Sequence, residues 1–388
     1  MNIRLFDNLN QKDIYLKDKK QPIKIYNCGP TVSDYIHIGH IRNALLPDIL
    51  LRIITELGWE EVISISNVTN ISNKILQKSK QNNNYSWNDI GNLYMVKWQE
   101  ELVNFNIVLP NIILPDTKHI SSIIQTIEKL LSINAAYIKD SSVFYDCKNL
   151  ENTLEKHGYT KGLDESSSEL LKHILAINED FILWESVKDD EEMVWQSPWG
   201  LGRPGKHIPC STILESFCRD DDLLIHCGGN DLYYHHSCEF AQTISCSDNK
   251  KVANAWIYNS MVNVNEKKMG KSLGNSVTVQ EILKSFSPEI IKWYLLSTSF
   301  SEIINFKIDD IETAGKEWEE ILKCITNTNN SELYIANETF YNSIISILAD
   351  NIRVNDALIS LKHNILEGKK DIRITAKYLL NMLGFRIN

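Results

Sequence analysis

The sequence predicts an α/β chain organised around a parallel sheet, on three observations. Residues 22–28 and 60–67 read as buried strand runs. Between them, residues 40–57 place Leu45, Ile49, Ile53, Ile54 and Leu57 at helical spacing and stop at Gly58. Strand, helix and strand at this length form a βαβ unit, whose strands pair in parallel. The bulk composition agrees: 388 residues, 43% hydrophobic and 23% charged, describe a globular chain of about two or three domains.

Taken in order, the first helix contains Pro47, which removes a backbone hydrogen bond and predicts a kink or a cost of up to about 3 kcal/mol. Helices are expected around 90–106 and 118–133. Residues 134–200 read as short strands and loops, with a charged stretch from Lys188 to Glu192. A second strand run, Leu223 to Cys227, meets Gly228-Gly229, and a helix is expected from Tyr234 to Ile244. From about 306 the pattern is helical to the end, with Asn- and Ser-rich breaks near 326–331. There is no internal repeat. The richness in Asn, Ile and Lys reads as a nucleotide-composition bias.

Several function classes drop out early. No apolar run reaches the ~18 residues that a membrane span needs. The start, Met1 to Asp7, lacks a signal-peptide hydrophobic region, so the cytoplasm is the expected compartment. Eight scattered cysteines suggest thiols or metal ligands rather than disulfides. A net charge of −10 weighs against a broad nucleic-acid surface but allows a local basic face.

The chemistry-bearing groups sit in three places. Cys28 ends the first strand run, and His37 and His40 open the helix after it. Farther on, Lys268-Met269-Gly270-Lys271-Ser272 forms a basic loop. Imidazoles and ammonium groups brought to one place suit a nucleoside triphosphate attacked at its α-phosphate, where charge grows on phosphate oxygens and leaving pyrophosphate. Alone, each motif also has a bland reading as a chance tetrapeptide or solvated turn.

A candidate metal site joins Cys28, Cys210, His235 and Glu239. His235 and Glu239 are four apart on an expected helix and share a face. Cys210 is expected in a Gly/Pro-rich turn, Gly202-Arg203-Pro204-Gly205. Two thiolates, an imidazole and a carboxylate suit zinc. Spacing leaves two alternatives open. The cysteines can be small buried hydrophobes beside a hydrogen-bonded core histidine, or Cys238 can replace Glu239 as ligand.

At this point the residues resemble the cysteinyl-tRNA synthetases, a class I aminoacyl-tRNA synthetase family. The resemblance rests on Cys28-Gly29-Pro30-Thr31-Val32-x-Asp34-x-x-His37-Ile38-Gly39-His40, Asn67-Val68-Thr69 and Phe181-Ile182-Leu183-Trp184. It continues through Trp195 to Gly200, Gly202 to Gly205, His207-Ile208 with Cys210-Ser211, Gly228 to Leu232, and Lys268-Met269-x-Lys271-Ser272. The tRNA-independent cysteine ligase of mycothiol synthesis shares the same core. The resemblance implies an α/β, Rossmann-like catalytic core over residues 1–305. That core would carry an insertion at roughly 115–200 and a lysine-loop region at 260–305. An all-α helical domain would follow over 306–388.

The resemblance also implies roles. Cys28, Cys210, His235 and Glu239 would hold Zn²⁺, which would bind the substrate thiolate and reject serine's harder oxygen. His37, Gly39 and His40 would hold ATP phosphates at a helix N-terminus, with Gly229 and Asp231 at the ribose. Lys268 and Lys271 would steady the departing pyrophosphate. Gly29, Thr31, Thr69, Trp199, Lys206 and His207 would line the amino-acid pocket. ATP would arrive with Mg²⁺, and cysteine or a close thiol analogue would become an adenylate.

The chain departs from the family pattern in places. Ser33 stands for an aromatic, Lys206 for a pocket tryptophan, Pro209 for Glu and Gly270 for Ser. Asn70, Ser72 and Asn73 replace a run of aspartates. The chain ends where ordinary members continue into an anticodon-binding domain. These departures incline the expectation toward a non-tRNA amine acceptor. Charging of tRNA(Cys) is the alternative, and a degenerate paralogue acting as a binding module is a second one.

Overall fold

The computed structural model describes all residues except 82–83, 160–167, 188–191, 218–221, 248–251, 271–273, 327–332 and 388. At its centre five parallel strands pair: β1 (Ile23–Asn27), β2 (Val62–Val68), β3 (Ile112–Pro115), β4 (Leu223–Gly229) and β5 (Ala255–Asn259). Their order across the sheet is β5-β4-β1-β2-β3. Side chains alternate faces along each strand. Ile23, Ile25, Ile225, Cys227, Ala255 and Ile257 enter one core. Tyr26, Cys28, Leu224, Trp256 and Tyr258 enter the other. Both faces are therefore buried, as a parallel sheet requires.

The two faces have different covers. Helix α1 (Ile38–Glu56) and the helices at Ile308–Thr326, Glu338–Ala349, Val354–Glu367 and Lys370–Met382 contribute to the first core. Helices α2 (Ile208–Phe217) and α3 (Tyr233–Cys246) contribute to the second. So does an antiparallel sheet built from Ala136–Lys139, Ser142–Tyr145, Phe181–Ser186, Trp195–Ser197 and Gly200–Pro204. Gly202 belongs to one of these strands rather than to a turn, pairing with Ser186, and glycine is needed there because a side chain would meet the Trp184 indole at 2.2 Å.

The first helix runs through Pro47 as one element. The lost hydrogen bond is outweighed by burial of Leu45, Leu46, Ile49 and Leu50 around it, since each such side chain contributes ~1.5–3 kcal/mol. Two polar clamps then fix α1. Buried Arg42 donates to the carbonyls of Ser260, Leu295, Ser299 and Glu302 at 2.6–3.2 Å. Asp48 accepts from the Val108 N–H at 2.9 Å and pairs with Arg52 at 3.0 Å. Arg52 in turn donates to the carbonyls of Asn106 and Met382.

Lys292, on helix α4 (Pro288–Leu296), completes this second clamp by donating to the Gly384 carbonyl at 2.8 Å. Burial pushes its ammonium down to about 8. An unfolded lysine keeps its proton up to about 10.4. Between those values the unfolded chain binds more protons, so this group's share of stability rises with pH across that window. Urea melts of the parent and Lys292→Met at about pH 7 and about pH 9.5 are expected to show the parent gaining on the variant at the higher pH.

Candidate active site

The strand order fixes where a site can form. From β1 the chain moves outward to β2 and β3, and from β4 it moves the other way to β5. The direction of progression reverses between neighbours β1 and β4, so a crevice opens beyond their carboxyl ends. A cleft of about 410 Å³ lies there. Cys28 follows β1 and Gly229 ends β4, and both line it. Gly29 admits no side chain, since a Cβ would lie 1.9 Å from the Asn67 carbonyl oxygen.

At one end of the cleft the four proposed metal ligands converge. Donor atoms of Cys28, Cys210, His235 and Glu239 all lie within 4.8 Å of one another. His235 and Glu239 come from successive turns of α3. Cys210 lies in the first turn of α2 and not in the turn expected for it, because residues 200–204 form a strand and the helix begins at Ile208. Glu239 Oε1 lies 2.5 Å from His235 Nε2 and 3.2 Å from Cys28 Sγ. Cys238 stays outside the cluster, its thiol hydrogen-bonded to Tyr234.

The electrostatics of this cluster fit a cation. Burial pushes the Cys28 thiol up to about 11. The hydrogen bond from Cys28, together with burial, raises Cys210 further. Burial opposes charge on both Glu239 and His235. Even so, His235 and His226 hold the Glu239 carboxyl well below its usual range. Glu239 and Cys210 raise His235 to about 10. Cys28 and Cys210 are free thiols. Two thiols, an imidazole and a carboxylate at these separations match the donor set and count of a zinc site, and an incoming cation would supply the charge that thiolate formation needs.

The other end of the cleft carries the phosphate-type groups. His37 caps α1, and its N–H donates to His40 Nδ1 at 3.2 Å. The two rings stand 3.8 Å apart, with Gly39 between them in sequence. The α1 N-terminus adds its partial positive charge. Across the cleft, Lys268 pairs with Asp231 at 2.9 Å. Gly229 allows that aspartate its place, because a Cβ there would sit 2.4 Å from Asp231 Oδ1. Lys271 lies outside the described residues.

Of the expected pocket residues, Gly29, Thr31, Thr69 and Lys206 line the cleft. His207 stands behind the ligand cluster, its Nδ1 2.5 Å from His235 Nδ1. Burial and the charge of His235 lower it to about 3, which keeps it neutral. Trp199 is not among the lining residues. It occupies the hairpin turn between Trp195–Ser197 and Gly200–Pro204, held by Ser197 Oγ and packed edge-on to Trp184.

The sequence reading missed His226, His236 and Asp116. His226 Nε2 lies 3.1 Å from Glu239 Oε2, and His236 Nδ1 lies 2.8 Å from the Tyr258 hydroxyl. All three missed residues are buried. A polar ring inside the apolar run Leu223 to Cys227 was the available signal for His226. Purified protein is expected to carry about one zinc per chain, lost in Cys210→Ala and kept in Cys238→Ala, with metal content read by mass spectrometry.

Comparison with known proteins gives the same picture from another side. Residues 15–316 match the family described as tRNA synthetases class I (C) catalytic domain. A cysteine–tRNA ligase of Campylobacter lari is 32% identical over 371 residues, covering 93% of this chain and 78% of the relative. One from Aliarcobacter butzleri is 34% identical over 367 residues, covering 92% and 77%. One from Mycoplasma mycoides is 32% identical over 416 residues, covering 99% and 90%. Among solved structures, Mycobacterium tuberculosis methionyl-tRNA synthetase bound by methionyl-adenylate superposes with a TM-score of 0.67 over 93% of this chain and 90% of that one. At 12% identity that likeness speaks for the fold alone. The catalytic-domain match and these relatives place the chain in the cysteinyl-tRNA synthetase family.

Proposed function

We propose that the protein is an ATP-dependent ligase that activates cysteine as an aminoacyl-adenylate, releases pyrophosphate, and passes the cysteinyl group to the 3′ end of tRNA(Cys). The observation that carries this reading is the convergence of a zinc-type ligand set and a histidine–lysine phosphate site in one cleft. A bound zinc would take up the substrate thiolate and so favour cysteine over serine.

The chain's own residues do the remaining work by placement. Thr31 and Thr69 hold the amino acid so that its carboxylate, already ionised, meets the α-phosphate in line. No general base is required. His37 and His40 at the α1 N-terminus take the developing charge on the phosphate oxygens, and Lys268 follows the departing pyrophosphate. Gly229 leaves room for Asp231, whose carboxylate suits a ribose hydroxyl.

The non-tRNA amine acceptor toward which the sequence inclines finds no support. The relatives matched over most of this chain are named cysteine–tRNA ligases, and the Mycoplasma mycoides protein matches over 90% of its own length. Among the described residues no helix is long and apolar enough to cross a membrane.

Two assays test the reading. ATP–pyrophosphate exchange is expected with cysteine and not with serine, followed by acylation of total tRNA and not of small amines. Acylation of amines alone would overturn the tRNA assignment. Lys268→Ala is expected to lower the exchange rate on the order of a hundredfold, with a smaller effect on cysteine binding.

A further inference from the structure

The phosphate and ribose ends of the cleft leave the base of a nucleotide without a seat. The histidines stand at the start of α1, which follows β1, and Asp231 follows β4. The sheet continues in that direction from β1 through β4 to β5. A base extending past the ribose therefore meets the carboxyl end of β5. Asn259 is the last residue of that strand and pairs with Gly229, the last residue of β4. It is 4% exposed and lines the cleft. Met261, Val262 and Met269 line the same cleft and offer the soft apolar surface that suits a flat ring.

The Asn259 amide is held in one orientation. Its Nδ2 donates to the Ser260 carbonyl at 3.2 Å. Turning the amide over would set two oxygens against each other, so Oδ1 is the free end. That Oδ1 is buried and has no hydrogen-bond partner. The carbonyl that anchors the amide is itself fixed. It also accepts from the buried Arg42 guanidinium at 3.2 Å, and the Ser260 N–H donates to the Phe300 carbonyl at 2.7 Å. A buried acceptor kept without a donor is costly unless a ligand supplies one. Asn27 and Asn43 also line the cleft with unpartnered amide oxygens, but they belong to β1 and α1, on the phosphate side.

We propose that Asn259 reads the base of the nucleotide: its Oδ1 accepts from the 6-amino group of adenine, so that the cleft selects ATP over triphosphates without that donor. The inference rests on the reading of the cleft as a cysteine-activating ATP site and deepens it. Adenine carries an N–H donor at C6, where guanine carries a carbonyl oxygen. Guanine would bring two acceptors face to face, and an unsubstituted purine would leave Oδ1 unpaired. A site built to pair with a substrate N–H rejects analogues that lack it for this reason.

The test removes the amine from the ligand and the acceptor from the protein in turn. The ligands are ATP and purine riboside triphosphate, which keeps the ring and the phosphates but lacks the 6-amino group. Their binding is measured by calorimetry, without cysteine, on the parent and on Asn259→Leu. The parent is expected to bind ATP roughly tenfold more tightly than the analogue. In the variant the two are expected to bind within about twofold of each other, ATP having weakened and the analogue not. GTP is expected to bind the parent more weakly than ATP and to gain on it in the variant. Equal weakening of ATP and the analogue would mark a structural role and overturn the proposal. A parent that does not discriminate, or a variant that still does, would overturn it as well. Should Asn259→Leu fail to fold, Asn259→Ala carries the same comparison, with the same loss of discrimination expected. These measurements need neither cysteine nor tRNA, so the two readings fail separately. Discrimination that depends on Asn259, with no cysteine-dependent exchange in the parent, would sink the activation reading and leave this one standing. Exchange in the parent, with base preference unaltered in the variant, would sink this one alone.

Discussion

The parallel pairing of β1 with β4 is the constraint on which the site depends. It sets Ile25 beside Ile225 and Asn27 beside Cys227. The chain leaves these strands immediately afterwards through Cys28 and Gly229. A thiol for a metal and a glycine beside a nucleotide-type aspartate thus end up on either side of one crevice, although about two hundred residues separate them in sequence. Slipping β1 by one residue against β4 would turn Tyr26 and Cys28 toward the opposite core while Leu224 stayed in place.

Two clamps on α1 carry this geometry outward. Arg42 joins the helix that presents His37 and His40 to Ser260, at the base of the hairpin that carries Lys268. Asp48, Arg52 and Lys292 join the same helix to the chain at Gly384. A neutral apolar interface would resist sliding less, because each of these buried groups becomes expensive if its partner moves. The phosphate end of the cleft is thereby rigid relative to the sheet. The metal end is fixed separately, by the Glu239–His226 contact and the packing of α3.

The sequence revealed the parts with strong local signals. The β1–α1–β2 unit, the α3 helix and the C-terminal helical run followed from apolar period, and their observed ends fall close to the expected ones. The convergence of Cys28, Cys210, His235 and Glu239 needed the resemblance, since spacing alone could not choose between them and Cys238. Asp116, His226 and His236 stayed hidden because their importance comes from what surrounds them, and burial beside a partner on another element leaves little local pattern. Trp199 shows the opposite case. Its motif suggested a pocket wall, but Gly200 at φ 112° turns the chain there and the ring packs on Trp184.

The Lys268–Asp231 ion pair has one more consequence. Without a nucleotide, the two charges neutralise each other across the mouth of the cleft, where solvent softens their attraction. On the roles proposed for them, one wants a sugar hydroxyl and the other a phosphate. A bare nucleoside or free pyrophosphate would part the couple yet leave one member stranded, whereas an intact nucleotide compensates both. On those roles the pair would act as a coincidence detector, opening fully only for a ligand that carries both moieties at once.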